Sequence, residues 1–242
     1  MDHQSPPDIT EPLGAAVPAA LRSEATPAPR QIAEERRLIG PLLAGSTLAL
    51  CFLTWVAARP RPNRVDVGIT TWLQRPKSRR FFILMRLISA PGYAPFTHAV
   101  VASTATVLWA VGYRLEGVFA VSTMGAGTAT SVLKVLVGRP RPDPRFKRML
   151  VQLKDNSFPS GHATHYSAFY GYLFFLAYRR MAPSPLRSVL LALFGSLIVL
   201  VAPSRVYLGH HWASDVTAGE LVGFTYLFGM LRAYLYLEDL TT

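Results

Sequence analysis

A chain of 242 residues that is 50% hydrophobic and only 16% charged, with a mean hydropathy of +0.26, is too apolar for an ordinary water-soluble domain. Its net charge of +11 and pI ≈ 10.2 direct it toward anions, but the cations fall between apolar runs rather than on one polar face, which excludes nucleic acid as the partner. A single cysteine, Cys51, excludes a disulfide framework within the chain.

Residues 1–37 are rich in Pro, Ala, Ser and Glu, without apolar periodicity, and are expected as a disordered N-terminal tail. No basic stretch precedes a short apolar run at the start, so no secretory signal peptide is expected. A charge-free run at 38–58 has the length of a spanning helix. The basic, Pro-containing connection 59–80 holds an amphipathic interfacial helix at 65–73, and 81–88, interrupted by Arg86, is read as lying at the membrane surface.

A second span is expected at 91–113, ending in Trp109 and Tyr113. A third, at 117–133, is rich in small residues that let helices approach in lipid, and it runs into Lys134. After a polar, basic loop at 135–162, further spans follow at 163–178, 188–203 and 214–237, and 238–242 reads as a C-terminal tail. The fold class is therefore all-α, a six-transmembrane-helix bundle over 38–237. With six spans, the ends of the third and fifth and the starts of the fourth and sixth share one side. That brings Lys134, Arg141, Ser160, His162, Arg205, His211 and Asp215 to one face.

These residue types suit a phosphate ester. Ser160 stands where it can cap the following helix, whose N-terminal amides favour an anion, and Gly161 permits close backbone approach. Lys134, Arg141 and Arg205 can neutralise a phosphoryl group, or act only as membrane-edge anchors. His211 and Asp215, four apart, share a helical face; an Asp bonded to one imidazole nitrogen fixes the tautomer and prepares the other as nucleophile or base. His210 is assigned to capping the turn, and Arg139, Arg145, Lys147 and Arg148 to solvated positions or to attracting anionic headgroups. His98 has no visible partner, His165 is assigned to packing, and Glu220 is a candidate support for the site from behind. The acids nearby, Asp143, Asp155, Asp215 and Glu220, lack ligand-like spacing, so no metal and no cofactor is expected.

The order and spacing of these groups resemble the three-part signature of the type 2 phosphatidic acid phosphatase (PAP2) superfamily. Its first part is matched by Lys134 with Arg141-Pro142, its second by Pro159-Ser160-Gly161-His162, its third by Ser204-Arg205, His211 and Asp215. Arg139-Pro140 stands two residues early for the first part. The resemblance covers about 38–237 and implies a PAP2 / haloperoxidase-like bundle with phosphatase activity on a lipid phosphate or lipid pyrophosphate. By it, His211 is the nucleophile that forms a phosphohistidine and Asp215 orients it. His162 protonates the leaving oxygen and then activates water. Lys134, Arg141, Arg205, Ser160 and the Gly161 amide hold the phosphoryl oxygens.

A second class, a membrane transporter or binding protein for an anionic substrate, would use the same cations but has no need of His162, His211 and Asp215 together. A vanadium-dependent haloperoxidase shares the signature, but those relatives are soluble and six spans argue against it. The motif face carries more Lys and Arg than the opposite face, which by the positive-inside rule turns it to the cytoplasm. The resemblance turns the site to the extracytoplasmic side of a cell membrane, the orientation adopted here, with lipid phosphate and membrane lipids as the partners.

Overall fold

The structure, a computed structural model, describes residues 29–59, 64–142, 146 and 155–241. The expected tail over 1–28 and the basic positions Arg145, Lys147 and Arg148 lie outside the described residues. Within them the fold is all-helical: α1 (Pro29–Ala57), α2 (Arg64–Leu73), α3 (Arg79–Ser89), α4 (Phe96–Ala110), α5 (Arg114–Ser122), α6 (Gly125–Val137), α7 (Gly161–His165), α8 (Gly171–Arg180), α9 (Pro185–Tyr207) and α10 (Ala213–Thr241). A π-turn at Tyr166–Tyr170 joins α7 to α8, so these three form one continuous element.

The chain-end boundaries need correction. Helix α1 starts at Pro29, inside the stretch assigned to the tail. At the other end, α10 runs to Thr241, through residues expected as a C-terminal tail, because Glu238 is buried and ion-paired to Arg179 (2.6 Å) and Arg180 (2.7 Å) on α8. The interfacial segment appears as α2 and the short surface segment as α3, close to where the amphipathic pattern put them.

Among the described residues three helical stretches are long and apolar enough to cross a membrane: Arg37–Ala57, Arg114–Val137 and Pro185–Tyr207. Phe96–Ala110 is apolar but shorter. The two other expected spans are helical, and each carries motif residues at its start that dilute its apolar character: His162 on α7, Asp215 on α10. Leu48, Phe52, Trp55, Val135, Leu136, Val189 and Val199 point outward from three of these helices. Such an apolar outer surface suits a bundle solvated by lipid, where backbone groups are satisfied inside each helix.

Helix α10 is the central post. It packs lengthwise against α1, and α7 and the π-turn lie across it. One apolar core joins Phe119, Tyr172, Leu176, Leu227, Tyr234 and Leu235; a second joins Val101, Tyr166, Phe169, Val201, Val206 and Val216. The buried Tyr166 hydroxyl donates to the Ile88 carbonyl (2.5 Å), tying α3 to the element that starts with the Ser160-Gly161-His162 turn.

Candidate active site

The motif residues sit at or beside helix ends, with Arg141 in the loop that follows α6. Lys134 is in the last turn of α6, which Gly138 closes in the left-handed conformation (φ 61°). Ser160 is the N-cap residue of α7, and Arg205 is in the last turn of α9. His211 lies in the short connection to α10, and Asp215 in that helix's first turn. Thr164 clamps the helices together: its Oγ1 accepts from Thr130 Oγ1 on α6 (2.9 Å) and lies 3.0 Å from the Gly219 carbonyl on α10.

The cations form one linked cluster. Lys134 Nζ donates to Asp155 Oδ2 (2.8 Å) and the Asn156 carbonyl (2.5 Å). Arg141 donates to Asp155 Oδ1 (2.7 Å) and the His210 carbonyl (2.5 Å), and its Nη1 lies 3.3 Å from His211 Nε2. Arg205 is 1% exposed and donates to Ser89 Oγ (2.7 Å) and Tyr93 Oη (2.8 Å). The Tyr93 ring stands edge-on to His162, centroids 4.5 Å apart. Asp155 is half-exposed; burial alone would raise its pKa, but the bonds from Lys134 and Arg141 hold it below the ordinary carboxylate value.

His211 is buried, and that burial, reinforced by Arg205, Arg141, Lys134 and His162, holds its pKa well below the usual imidazole value. It is therefore neutral at pH 7. Its Nδ1 lies 2.8 Å from the Ser157 carbonyl, which can only accept, so Nδ1 carries the proton and Nε2 carries the lone pair. This corrects the expected partner. Asp215 Oδ2 stands 3.9 Å from Nδ1, too far for a hydrogen bond, because it is engaged by the Ser157 hydroxyl and the Trp212 amide (2.8 Å). Ser157 links the two, its hydroxyl on the carboxylate and its carbonyl on the ring.

Three polar atoms of the cluster are buried without a hydrogen-bond partner: Ser160 Oγ, His162 Nε2 and Arg205 Nε. Ser160 occupies the cap position, yet its hydroxyl does not cap α7. Buried polar groups are ordinarily satisfied, so these orphans, belonging to three of the predicted residues, mark where an oxygen-rich ligand fits.

The remaining assignments divide. Arg139, expected to be solvated, is 5% exposed and paired to Asp66 (2.8 Å) and Asp215 (2.5 Å). His210 does more than cap a turn: its ring Nδ1 lies 3.0 Å from Arg205 Nη2. His165 stacks on Phe169 (centroids 5.3 Å apart), as its packing role requires. Among the described residues no hydrogen bond joins Glu220 to the site. The residues missed by sequence reasoning are Asp66, Ser157 and Tyr93. Only Asp66 left a signal, as the sole acid in the basic connection 59–80.

A family model of the PAP2 superfamily matches residues 115–239. Phosphatidylglycerophosphatase B of Bacillus subtilis (strain 168) is 36% identical over 98 residues, which cover 40% of this chain and 47% of that protein. The match thus spans about half the length of this curated relative. Among solved structures, a transmembrane PAP2 type phosphatidylglycerolphosphate phosphatase from Bacillus subtilis superposes with a TM-score of 0.69 at 22% identity, covering 83% of this chain and 97% of that one. At that identity the likeness speaks for the fold.

Proposed function

Because the chain belongs to the PAP2 superfamily, we propose that it is an integral membrane phosphatase that hydrolyses a lipid phosphate monoester or lipid pyrophosphate. Phosphatidylglycerol phosphate is the first substrate to test, since both relatives are named for it. The observation that carries the reading is the state of His211: neutral, Nδ1 bonded to the Ser157 carbonyl, and Nε2 next to Arg141.

In this mechanism Nε2 of His211 attacks phosphorus and the ester oxygen leaves in line. A phosphohistidine forms. His162, whose burial beside Arg205 holds its pKa well below the usual imidazole value in the free site, takes up a proton together with the anionic substrate, donates it to the leaving oxygen, then takes one from the water that attacks the phosphohistidine. The second displacement releases inorganic phosphate and restores His211. Lys134, Arg141 and Arg205 carry the charge of the equatorial oxygens, and Ser160 Oγ and the Gly161 amide complete the cradle. Phosphoryl transfer asks for positioning and charge stabilisation above all, and this cluster offers three cations for it. No metal takes part in this scheme; abolition of activity by a chelator and its recovery with magnesium would oppose it.

Purified protein should release phosphate from phosphatidylglycerol phosphate and form an acid-labile phosphoenzyme, both lost in His211→Ala. Unchanged release by that variant would sink the mechanism; no release by the wild type would restore the transporter reading. The site is assigned to the extracytoplasmic side of a cell membrane. Lys77→Cys in a Cys51→Ser background should react with an impermeant maleimide in intact cells; reaction only after lysis reverses the orientation.

A further inference from the structure

Behind His211 lies a buried polar network that the phosphoryl chemistry does not itself use, and it reaches out to the interfacial helix α2. Arg139 Nη1 donates to Asp215 Oδ1 (2.5 Å) and to Ser214 Oγ (2.7 Å), while its Nη2 donates to Asp66 Oδ2 (2.8 Å). Asp66 accepts the Ser214 amide at Oδ1 (2.8 Å) and the Ser214 hydroxyl at Oδ2 (2.7 Å). Asp215 Oδ2 accepts from the Ser157 hydroxyl and the Trp212 amide. Ser157 closes the circuit: its amide donates to the Arg139 carbonyl (2.7 Å), and its own carbonyl takes the proton of His211 Nδ1 (2.8 Å).

All three ionic members are almost out of reach of solvent: Arg139 is 5% exposed, Asp66 2%, Asp215 0%. A surface ion pair adds little to a fold, and burying charges is costly even when they are paired. A lock between α2 and α10 could be made with apolar side chains. What apolar residues cannot do is fix the orientation of a carboxylate and, through a shared serine, of a backbone carbonyl aimed at one imidazole nitrogen.

We propose that Asp66 and Arg139 are positioning residues for the reaction at His211: they fix the Asp215 carboxylate and, through it, the Ser157 carbonyl that keeps His211 protonated on Nδ1 and nucleophilic on Nε2. This rests on the reading of His211 as the nucleophile. Bond formation at Nε2 makes the ring cationic, and the Ser157 carbonyl and the Asp215 charge 3.9 Å away are the groups that face that new charge. Without Arg139, Asp215 loses its only ion-pair partner besides the ring among the described residues, and the ring is released to turn or to exchange tautomers. Either change presents an N–H to the substrate where a lone pair is needed.

Arg139→Gln alone leaves two buried carboxylates without a cation, and loss of folding could hide its effect. The double variant Arg139→Gln/Asp66→Asn restores the network's net charge of one negative unit and is the informative protein. Full-length wild type and double variant are purified in detergent and assayed on phosphatidylglycerol phosphate, for acid-labile phosphoenzyme and for inhibition by inorganic phosphate. The expected result is a kcat lowered about 100-fold, the loss that misplacing a reacting group by roughly 1 Å brings. KM and the inhibition constant for inorganic phosphate should stay within about 2-fold, since the phosphate-holding cations are untouched. Arg139→Lys, which keeps the charge but not the fork, should recover part of kcat. A double variant with wild-type kcat and labelling would overturn the inference while leaving the nucleophile reading intact. A kcat loss matched by an equal rise in KM and in the inhibition constant would overturn it as well, by showing general damage to the site. A wild type that turns over without ever labelling would overturn the nucleophile reading and this inference with it.

Discussion

Alanine at Gly219 is the most direct probe of how the helices set the site. Gly219 lies on α10, four residues after Asp215, against the start of α7. A β-carbon there would stand 2.5 Å from the Ser160 carbonyl oxygen and 3.0 Å from the Ala163 β-carbon, where ordinary contact begins at 3.4 Å. Neither atom belongs to a flexible side chain, so α7 and α10 must part by about 0.9 Å. The Ser160 amide donates to the Asp215 carbonyl across this contact (3.0 Å), so the parting pulls Ser160 and His162 away from His211. Overpacking of this kind costs about 1–3 kcal/mol of stability. The catalytic loss should be larger, about 100-fold in kcat, because a shift near 1 Å separates the two histidines proposed to share the reaction. Gly127→Ala, with nothing within 4 Å of the added carbon, is the matched control and should be neutral or slightly stabilising. Both variants would be assayed for kcat on the lipid phosphate and for thermal unfolding in one detergent. Wild-type kcat in Gly219→Ala would refute the claim that this helix contact sets the catalytic geometry.

The other expectations concern charge. Asp155 bridges Lys134 and Arg141, so under the proposed function a substrate phosphate competes with its carboxylate for them. Asp155→Asn should strengthen inhibition by inorganic phosphate by about 2–5-fold, the worth of an exposed pair; weaker inhibition would show that Asp155 instead preorganises the cations. Because its pKa is depressed in the fold, the stability Asp155 contributes is present above the ordinary carboxylate value and lost as pH falls through the lower folded one. Thermal unfolding of Asp155→Asn followed across that acid window should lack this component. At the far end of the bundle, Arg180 bridges Glu116 (2.6 Å) and Glu238 (2.7 Å) and meets Tyr234 (2.8 Å). Arg180→Ala should destabilise by roughly 3–5 kcal/mol with kcat per folded molecule unchanged; a catalytic defect without a stability defect would contradict this separation.

The helical layout was legible because lipid-facing and core-facing residues are both apolar, and long uncharged runs announce themselves. The boundaries were less legible at the two chain ends. Residues 29–37 carry the polar composition of a tail, and nothing in it signals that helix α1 already starts there. Residues 238–242 read as a C-terminal tail, whereas Glu238 turns inward to two arginines 58 and 59 residues earlier. A residue's own charge says that it needs a partner; the partner's position is a property of the fold.

The same distinction explains what was and was not readable in the site. Lys134, Arg141, Ser160, His162, Arg205, His211 and Asp215 could be grouped because helix ends on one side of a bundle must meet. Arg139 stands two residues early for the spacing from Lys134, and its guanidinium turns to Asp66 and Asp215. The two Arg-Pro pairs meet different partners: Arg139 reaches Asp66, Ser214 and Asp215, and Arg141 reaches Asp155, the His210 carbonyl and the His211 ring. Arg141 faces the imidazole nitrogen expected to meet phosphorus, and Arg139 faces the carboxylate behind the other nitrogen. Sequence spacing identifies the first arginine by its distance from Lys134. Only the backbone link between Ser157 and Arg139, which brings two distant loops edge to edge, gives the second one a task.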